Sequence, residues 1–221
     1  MSEATWTRVD EYVESVLFDD DDALAHARSA SAAGGLPAIE VTATQGRLLQ
    51  TLARAVAATR ILEVGTLGGY SAIWLARCLP EDGVMITLEL EEAHATVARA
   101  NLAYAGLDGL VEVRVGSAKD SLSRLIDSGA EAFDLIFIDA DKESNPAYFA
   151  SALRLSHAGT LIVVDNVVRS GALADEDSPD GRVRATRAML ELASTDPRVE
   201  GTVIQTVGAK GYDGFALFRV V

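Results

Sequence analysis

The sequence predicts an α/β domain with a seven-stranded, mostly parallel sheet, helices on both of its faces and further helices added at the N-terminus. Three observations carry this. From Arg60 onward, short apolar runs alternate with stretches of helical periodicity. The first run ends at a glycine cluster (Gly65, Gly68, Gly69) and re-enters a helical pattern at Ser71. The last two runs are joined by 208–214, too short for a helix, so they form an antiparallel hairpin at one side of the sheet. No repeat, low-complexity stretch or linker interrupts the chain. The expected organisation is one domain over 1–221, with N-terminal helices in 1–59 and the α/β core in 60–221.

Taken in order, Trp6, Val9, Val13, Val16 and Leu17 recur at helical spacing. The acidic run Asp19–Asp22 reads as the start of a second helix, where carboxylates meet the positive end of the helix dipole. Gly34-Gly35-Leu36-Pro37 is a break. Thr44 is then expected to cap a helix through Ala57, with Leu48, Leu49, Leu52 and Val56 on its buried stripe. Strands are predicted at 60–64, 84–89, 111–115, 133–138, 160–164, 202–207 and 214–220, and helices at 71–79, 91–105, 118–127, 146–156 and 181–195. Runs 133–138 and 160–164 are almost wholly apolar, as suits parallel strands covered on both faces.

Composition narrows the function. The 221 residues carry 33 acids against 19 bases, a net charge of −14, which speaks against a broad nucleic-acid-binding face. A single cysteine, Cys78, excludes an internal disulfide and reads as an inert thiol on the apolar face of a helix. There is no signal-peptide pattern and no apolar run of about 18 residues, so a cytoplasmic protein with no membrane partner is expected. His26, His94 and His157 fall in predicted helical stretches away from the strand ends and read as structural, and Tyr70 and Trp74 as core or pocket wall.

Ligands of open α/β sheets bind outside the carboxyl ends of the strands. The first strand holds Glu63 and runs into Gly65; the second ends in Glu89, placed to accept ribose hydroxyls. The fourth ends in Asp139-Ala-Asp-Lys142 and the fifth in Asp165-Asn166, each delivering oxygen ligands to one edge. The glycine pattern is not the dinucleotide fingerprint, because Leu67 stands where a middle glycine would be.

Glu63-Val-Gly65, Gly69-Tyr-Ser71, Glu89, Asp139-Ala-Asp-Lys142 and Asp165-Asn166, in that order, resemble the cation-dependent O-methyltransferases, a family that includes catechol and caffeoyl-CoA O-methyltransferases and small bacterial enzymes. The resemblance runs from about Val41 through the final hairpin. It implies a Rossmann-like class I S-adenosylmethionine-dependent methyltransferase fold. It also implies that Val41, Glu63, Gly65, Thr66, Ser71, Glu89, Ala118 and Asp139 hold S-adenosylmethionine, with Ala118 meeting the adenine. Asp139, Asp165 and Asn166 would ligate Mg²⁺, or another divalent cation such as Mn²⁺ or Ca²⁺. Two carboxylates and an amide oxygen are hard donors suited to such an ion. Lys142 is the candidate catalytic base. The implied reaction is methyl transfer to a hydroxyl of a small catechol-like phenol, and the implied assembly is a homodimer built with the N-terminal helices and the last hairpin.

Two positions depart from the better-known members. Asp141 stands where catechol O-methyltransferase has a tryptophan before its catalytic lysine, and Arg169 stands where the plant enzymes carry an aromatic residue. Arg169 opens the loop 169–178 bordering the pocket; it reads either as facing a substrate carboxylate or as a surface or interface arginine. A hydroxyuridine of tRNA is the alternative acceptor, against which the acidic balance counts. A nicotinamide oxidoreductase fits less well, for want of the middle glycine, and a non-catalytic binding module would not need the Asp139, Lys142, Asp165 and Asn166 set.

Overall fold

The computed structural model describes residues 2–18 and 21–221. Asp19 and Asp20 of the predicted acidic helix start lie outside them. Three helices come first: α1 (Glu3–Leu17), α2 (Asp22–Ala33) and α3 (Ala43–Ala55). The alternating part follows as β1 (Arg60–Val64), α4 (Tyr70–Ala76), β2 (Val84–Glu89), α5 (Glu92–Tyr104), β3 (Val111–Val115), α6 (Ala118–Asp127) and β4 (Phe133–Ile138). It continues through α7 (Asn145–Arg154), β5 (Ser156–Asp165) and α8 (Gly181–Thr195) to the hairpin β6 (Val199–Gly208) and β7 (Gly211–Val220).

The seven strands lie in one sheet in the order β3-β2-β1-β4-β5-β7-β6. The first five are mutually parallel; β7 runs antiparallel to both β5 and β6. Alternate residues of each strand feed opposite layers. Ile61, Met85, Leu135 and Val163 pack with Leu49, Ile73, Trp74 and Leu102 on one face. Leu62, Ile86, Ile136 and Ile162 pack with Leu122, Phe149 and Met189 on the other. Strand order reverses between β1 and β4, and that crevice is where doubly wound sheets bind ligands.

The structure corrects four local readings. Thr42, not Thr44, caps α3, in a reciprocal capping box with Gln45. The buried face of α3 is Ala43, Gly46, Leu49, Gln50 and Ala53, with Leu48 left exposed. Gly46 is needed there, since a Cβ would come within 2.3 Å of the Trp74 indole. The β6–β7 turn is only Ala209-Lys210, because both strands extend further than the apolar pattern indicates. His157 sits at the start of β5, not in a helix, and its Nε2 lies 2.8 Å from Asp134 Oδ1.

His26 stacks on Tyr104 between α2 and α5. Cys78 follows α4, half-buried, its thiol pushed up in pKa by burial. Among the described residues no helix is long and apolar enough to cross a membrane. Large apolar side chains stay exposed on α1 (Val9, Tyr12, Val16, Leu17) and on β6 (Ile204, Val207), the elements from which a dimer contact is expected.

Candidate active site

β1 enters the crevice through Gly65, whose N–H donates to the Leu88 carbonyl at 3.0 Å, while the Asp139 N–H donates to the Val64 carbonyl at 2.8 Å. The two strand ends are thereby laid side by side. Gly65 has φ +105°, and a Cβ on it would stand 2.1 Å from the Asp139 carbonyl oxygen. Only glycine satisfies both conditions. Gly69 (φ +80°) then starts α4 from a left-handed N-cap.

The turn is held from below and from the side by two carboxylates. Glu63 is fully buried behind it. Its Oε1 accepts from the Ser71 hydroxyl and its Oε2 from the Thr87 hydroxyl, each at 2.6 Å, and Thr87 shares a further 2.6 Å hydrogen bond with the Thr66 hydroxyl. Glu89 Oε2 accepts the N–H groups of Thr66 (3.2 Å) and Leu67 (2.7 Å), and its Oε1 accepts that of Glu91 (3.0 Å). Two donors of the turn, the Thr66 and Leu67 N–H groups, are therefore already engaged by Glu89. Leu67 adopts φ +50°, a strained conformation for leucine that this clamp holds in place.

Burial raises the Glu63 pKa from 4.5 to about 8; the two hydroxyls oppose the shift, and the charges of Asp139 and Glu89 add to it. The folded chain thus keeps a proton that the unfolded chain releases between these values. Stability from this group is fully present below 4.5 and is lost as pH rises towards 8. The slope is at most about 1.4 kcal/mol per pH unit. Ligand-free protein should accordingly melt at falling temperature between pH 5 and pH 8, and the fall should be shallower in Glu63→Gln, which cannot ionise. Parallel melting profiles for the two proteins would contradict the assignment.

A cavity of about 840 Å³ runs along the crevice. Val41, Gly65, Thr66, Ser71, Glu89, Ala118, Asp139, Lys142 and Asn166 all line it, and so does Arg169. Glu63 does not, so it reaches the cavity only through Ser71 and the Thr87–Thr66 pair. Asp165 lines a second, smaller cavity, and Val41 and Asn166 border both. Ala118 is the first residue of α6, capped by Ser117.

The acidic end of the crevice is built by β4 and β5. Lys142, buried in a 3₁₀ turn after β4, donates from Nζ to Asp139 Oδ1 at 2.7 Å. Asp165 is buried, and its pKa rises to about 7, first through burial and then through the Asp139 charge, with Lys142 opposing. Asn166 follows with φ +54°, a conformation asparagine tolerates, and its N–H donates to Asp165 Oδ1 at 2.8 Å. Asp139, which accepts from Lys142, and the buried Asp165, with an amide beside them that makes no side-chain hydrogen bond among the described residues, form a donor set that fits a divalent cation. No cluster of three or more His, Cys, Asp and Glu side chains occurs among the described residues, and the third donor here is an amide.

Four contributors escaped the sequence reading. Thr87 completes the buried network behind the turn. His94 lies in the cavity wall, its Nδ1 3.4 Å from Glu89 Oε1, so it is not remote from the strand ends. Tyr148 donates to Asp141 Oδ1, and both line the larger cavity. Asp213 on β7 accepts the N–H groups of Val168 and Arg169, at 3.0 and 2.9 Å, and so fixes the segment after Asn166. Helical periodicity places His94 one turn into α5, beside the acid that ends β2. The Asp213 contact depends on antiparallel register between distant strands and leaves no local signal. Asp180 pairs with Arg182 at 2.7 Å, and the Arg169 charge adds only a minor influence on it.

This arrangement has close counterparts. A catechol O-methyltransferase of Niastella koreensis is 47% identical over 217 residues, 98% of each chain. One of Mycobacterium tuberculosis is 51% identical, over 96% of this chain and 94% of its own. The crystal structure of the O-methyltransferase from Bacillus cereus in complex with SAH superposes with a TM-score of 0.98 at 51% identity, covering both chains in full. A sequence model of the O-methyltransferase family matches residues 14–220, and the chain belongs to that family.

Proposed function

We propose that the protein is an S-adenosylmethionine-dependent, divalent-cation-assisted O-methyltransferase of small catechol-like phenols, with Mg²⁺ as the cation. The observation that carries this reading is one continuous cavity walled by the glycine turn and Glu89 together with Asp139, Lys142 and Asn166. A donor held against the turn and an acceptor held at the acidic end meet there. Binding of SAH by the Bacillus cereus relative and the catechol activity named for two others support the choice of cofactor and acceptor.

S-adenosylmethionine supplies the methyl group from its sulfonium, and the cation supplies positive charge that favours the ionised form of a phenol oxygen. The chain does the rest. Gly65 and Thr66 give the donor a close backbone wall, kept in place by Glu89 and, through Thr87, by Glu63. Ala118 and His94 border the same cavity near Glu89. Asp139, Asp165 and Asn166 provide three oxygen ligands for the cation. Lys142 Nζ takes the phenol proton, and Asp139 Oδ1, 2.7 Å away, receives the hydrogen bond from it. Most of the acceleration then comes from fixing donor and acceptor in line within a protected site.

The test is a methyl-transfer assay over a panel of phenols with added Mg²⁺ and with excess EDTA. Chelation should abolish turnover of catechols and Mg²⁺ should restore it. Asp165→Ala should abolish turnover while SAH binding, followed by calorimetry, changes little. Full activity in EDTA or in this variant would remove the cation from the mechanism.

A further inference from the structure

The smaller cavity, about 250 Å³, adjoins the acidic end and is lined by Asp165, Asn166, Thr42, Gln45, Asp213 and Lys210. Lys210 stands at the tip of the β6–β7 hairpin. The tip is anchored to α1, where Asp10 Oδ2 accepts the Ala209 N–H at 2.8 Å. From that fixed point the Lys210 side chain reaches the segment before α3, and Nζ donates to the Glu40 carbonyl oxygen.

Of the carboxylates nearby, Glu40 has an Arg28 contact at 3.9 Å. Asp213 Oδ1 accepts from the N–H groups of Val168, Arg169 and Gly214. Asp10 serves Ala209, and Asp165 belongs to the acid pair. Lys210 has only a backbone carbonyl for its three N–H donors, and it makes no ion pair among the described residues. Its surroundings desolvate it enough to lower its pKa, even though Glu40, Asp139 and Asp165 act in the opposite sense. A cation that faces the cavity with unused donors can take an anionic partner there.

We propose that Lys210 is a specificity-determining residue whose ammonium receives a carboxylate carried on the ring of the acceptor, so that catechols bearing an acid group are the preferred class. This deepens the catechol reading and rests on it. With the acceptor's vicinal oxygens at Asn166, which borders both cavities, the ring substituent extends into the smaller one and meets Lys210. Thr42 and Gln45 provide polar walls there.

The experiment compares kcat/KM for caffeate and for uncharged catechol in the wild-type protein, Lys210→Met, Lys210→Arg and Arg169→Ala. The caffeate-to-catechol ratio should fall about tenfold or more in Lys210→Met, the scale of one lost charge-assisted hydrogen bond. The fall should appear in KM, and Lys210→Arg should recover most of it. Equal losses on both acceptors, or a larger fall in Arg169→Ala than in Lys210→Met, would overturn the proposal. If the wild-type protein methylates neither compound, the catechol reading has failed, and equilibrium binding of caffeate decides about Lys210 separately. Weaker binding to Lys210→Met would support the role; equal affinity would end it.

Discussion

Lys142→Ala is expected to lower kcat by about 10²-fold or more, the scale of a lost general base. The side chain is buried, its Nζ is 2.7 Å from Asp139 Oδ1, and it lines the same cavity as the glycine turn. Alanine there removes the group assigned as proton acceptor together with its hydrogen bond to Asp139 Oδ1. The two losses separate experimentally. Loss of the base appears in kcat and removes the corresponding limb of the pH–rate profile, whereas SAH affinity, measured by calorimetry, should change far less. A variant with reduced kcat and an unaltered pH–rate profile would show that Lys142 positions Asp139 and does not move the proton. Activity within about threefold of wild type would exclude both roles.

Gly65→Ala is expected to be at least as damaging, but through binding. The new methyl carbon would lie 2.1 Å from the Asp139 carbonyl oxygen and 2.8 Å from its carbonyl carbon, on a backbone at φ +105°. Both contacts are with main chain, so no side-chain rotation relieves them. The backbone strain alone costs about 1–3 kcal/mol, and the clash forces β1 and β4 apart where their ends form the crevice. SAH binding should become undetectable by calorimetry and the melting temperature should drop by several degrees. Wild-type affinity for SAH in this variant would show that the ligand does not use the turn. Gly35, where a Cβ would meet nothing within 4 Å although φ is +73°, makes a suitable control. Alanine there should cost stability while leaving binding intact.

Much of this architecture was legible because its signals are local. Parallel strands buried on both faces are short apolar runs, and β1 to β4 fall where those runs predict them. The caps and hairpin ends were less legible. Thr42 and Thr44 are equally plausible caps until the Gln45 side chain chooses between them. Ser156 to Gly159 at the start of β5, and the outer ends of β6 and β7, are polar or exposed, so pairing and not hydropathy defines them. The site divides in the same way. Gly65, Glu89, Asp139, Lys142 and Asn166 all line one cavity, since each follows directly from a strand end. Glu63 sits behind that cavity because its place on β1 turns its side chain under the turn, and motif spacing does not record which way a strand residue points. Asp213 and Lys210 reach the site from a hairpin more than 40 residues beyond Asn166. Only the antiparallel pairing of β5 with β7 brings them there.

That pairing also orders events during synthesis. β7 is the last of the seven strands to leave the ribosome, yet it lies inside the sheet, between β5 and β6. Until it emerges, one edge of β5 has no partner and β6 has no strand to pair with. The segment that follows Asn166 likewise waits for Asp213 before its backbone is held. A nascent chain can therefore pair β1 to β5 and form the glycine-turn end of the crevice well before β7 and Asp213 arrive. The wall of the crevice beyond Asn166 is the part completed last.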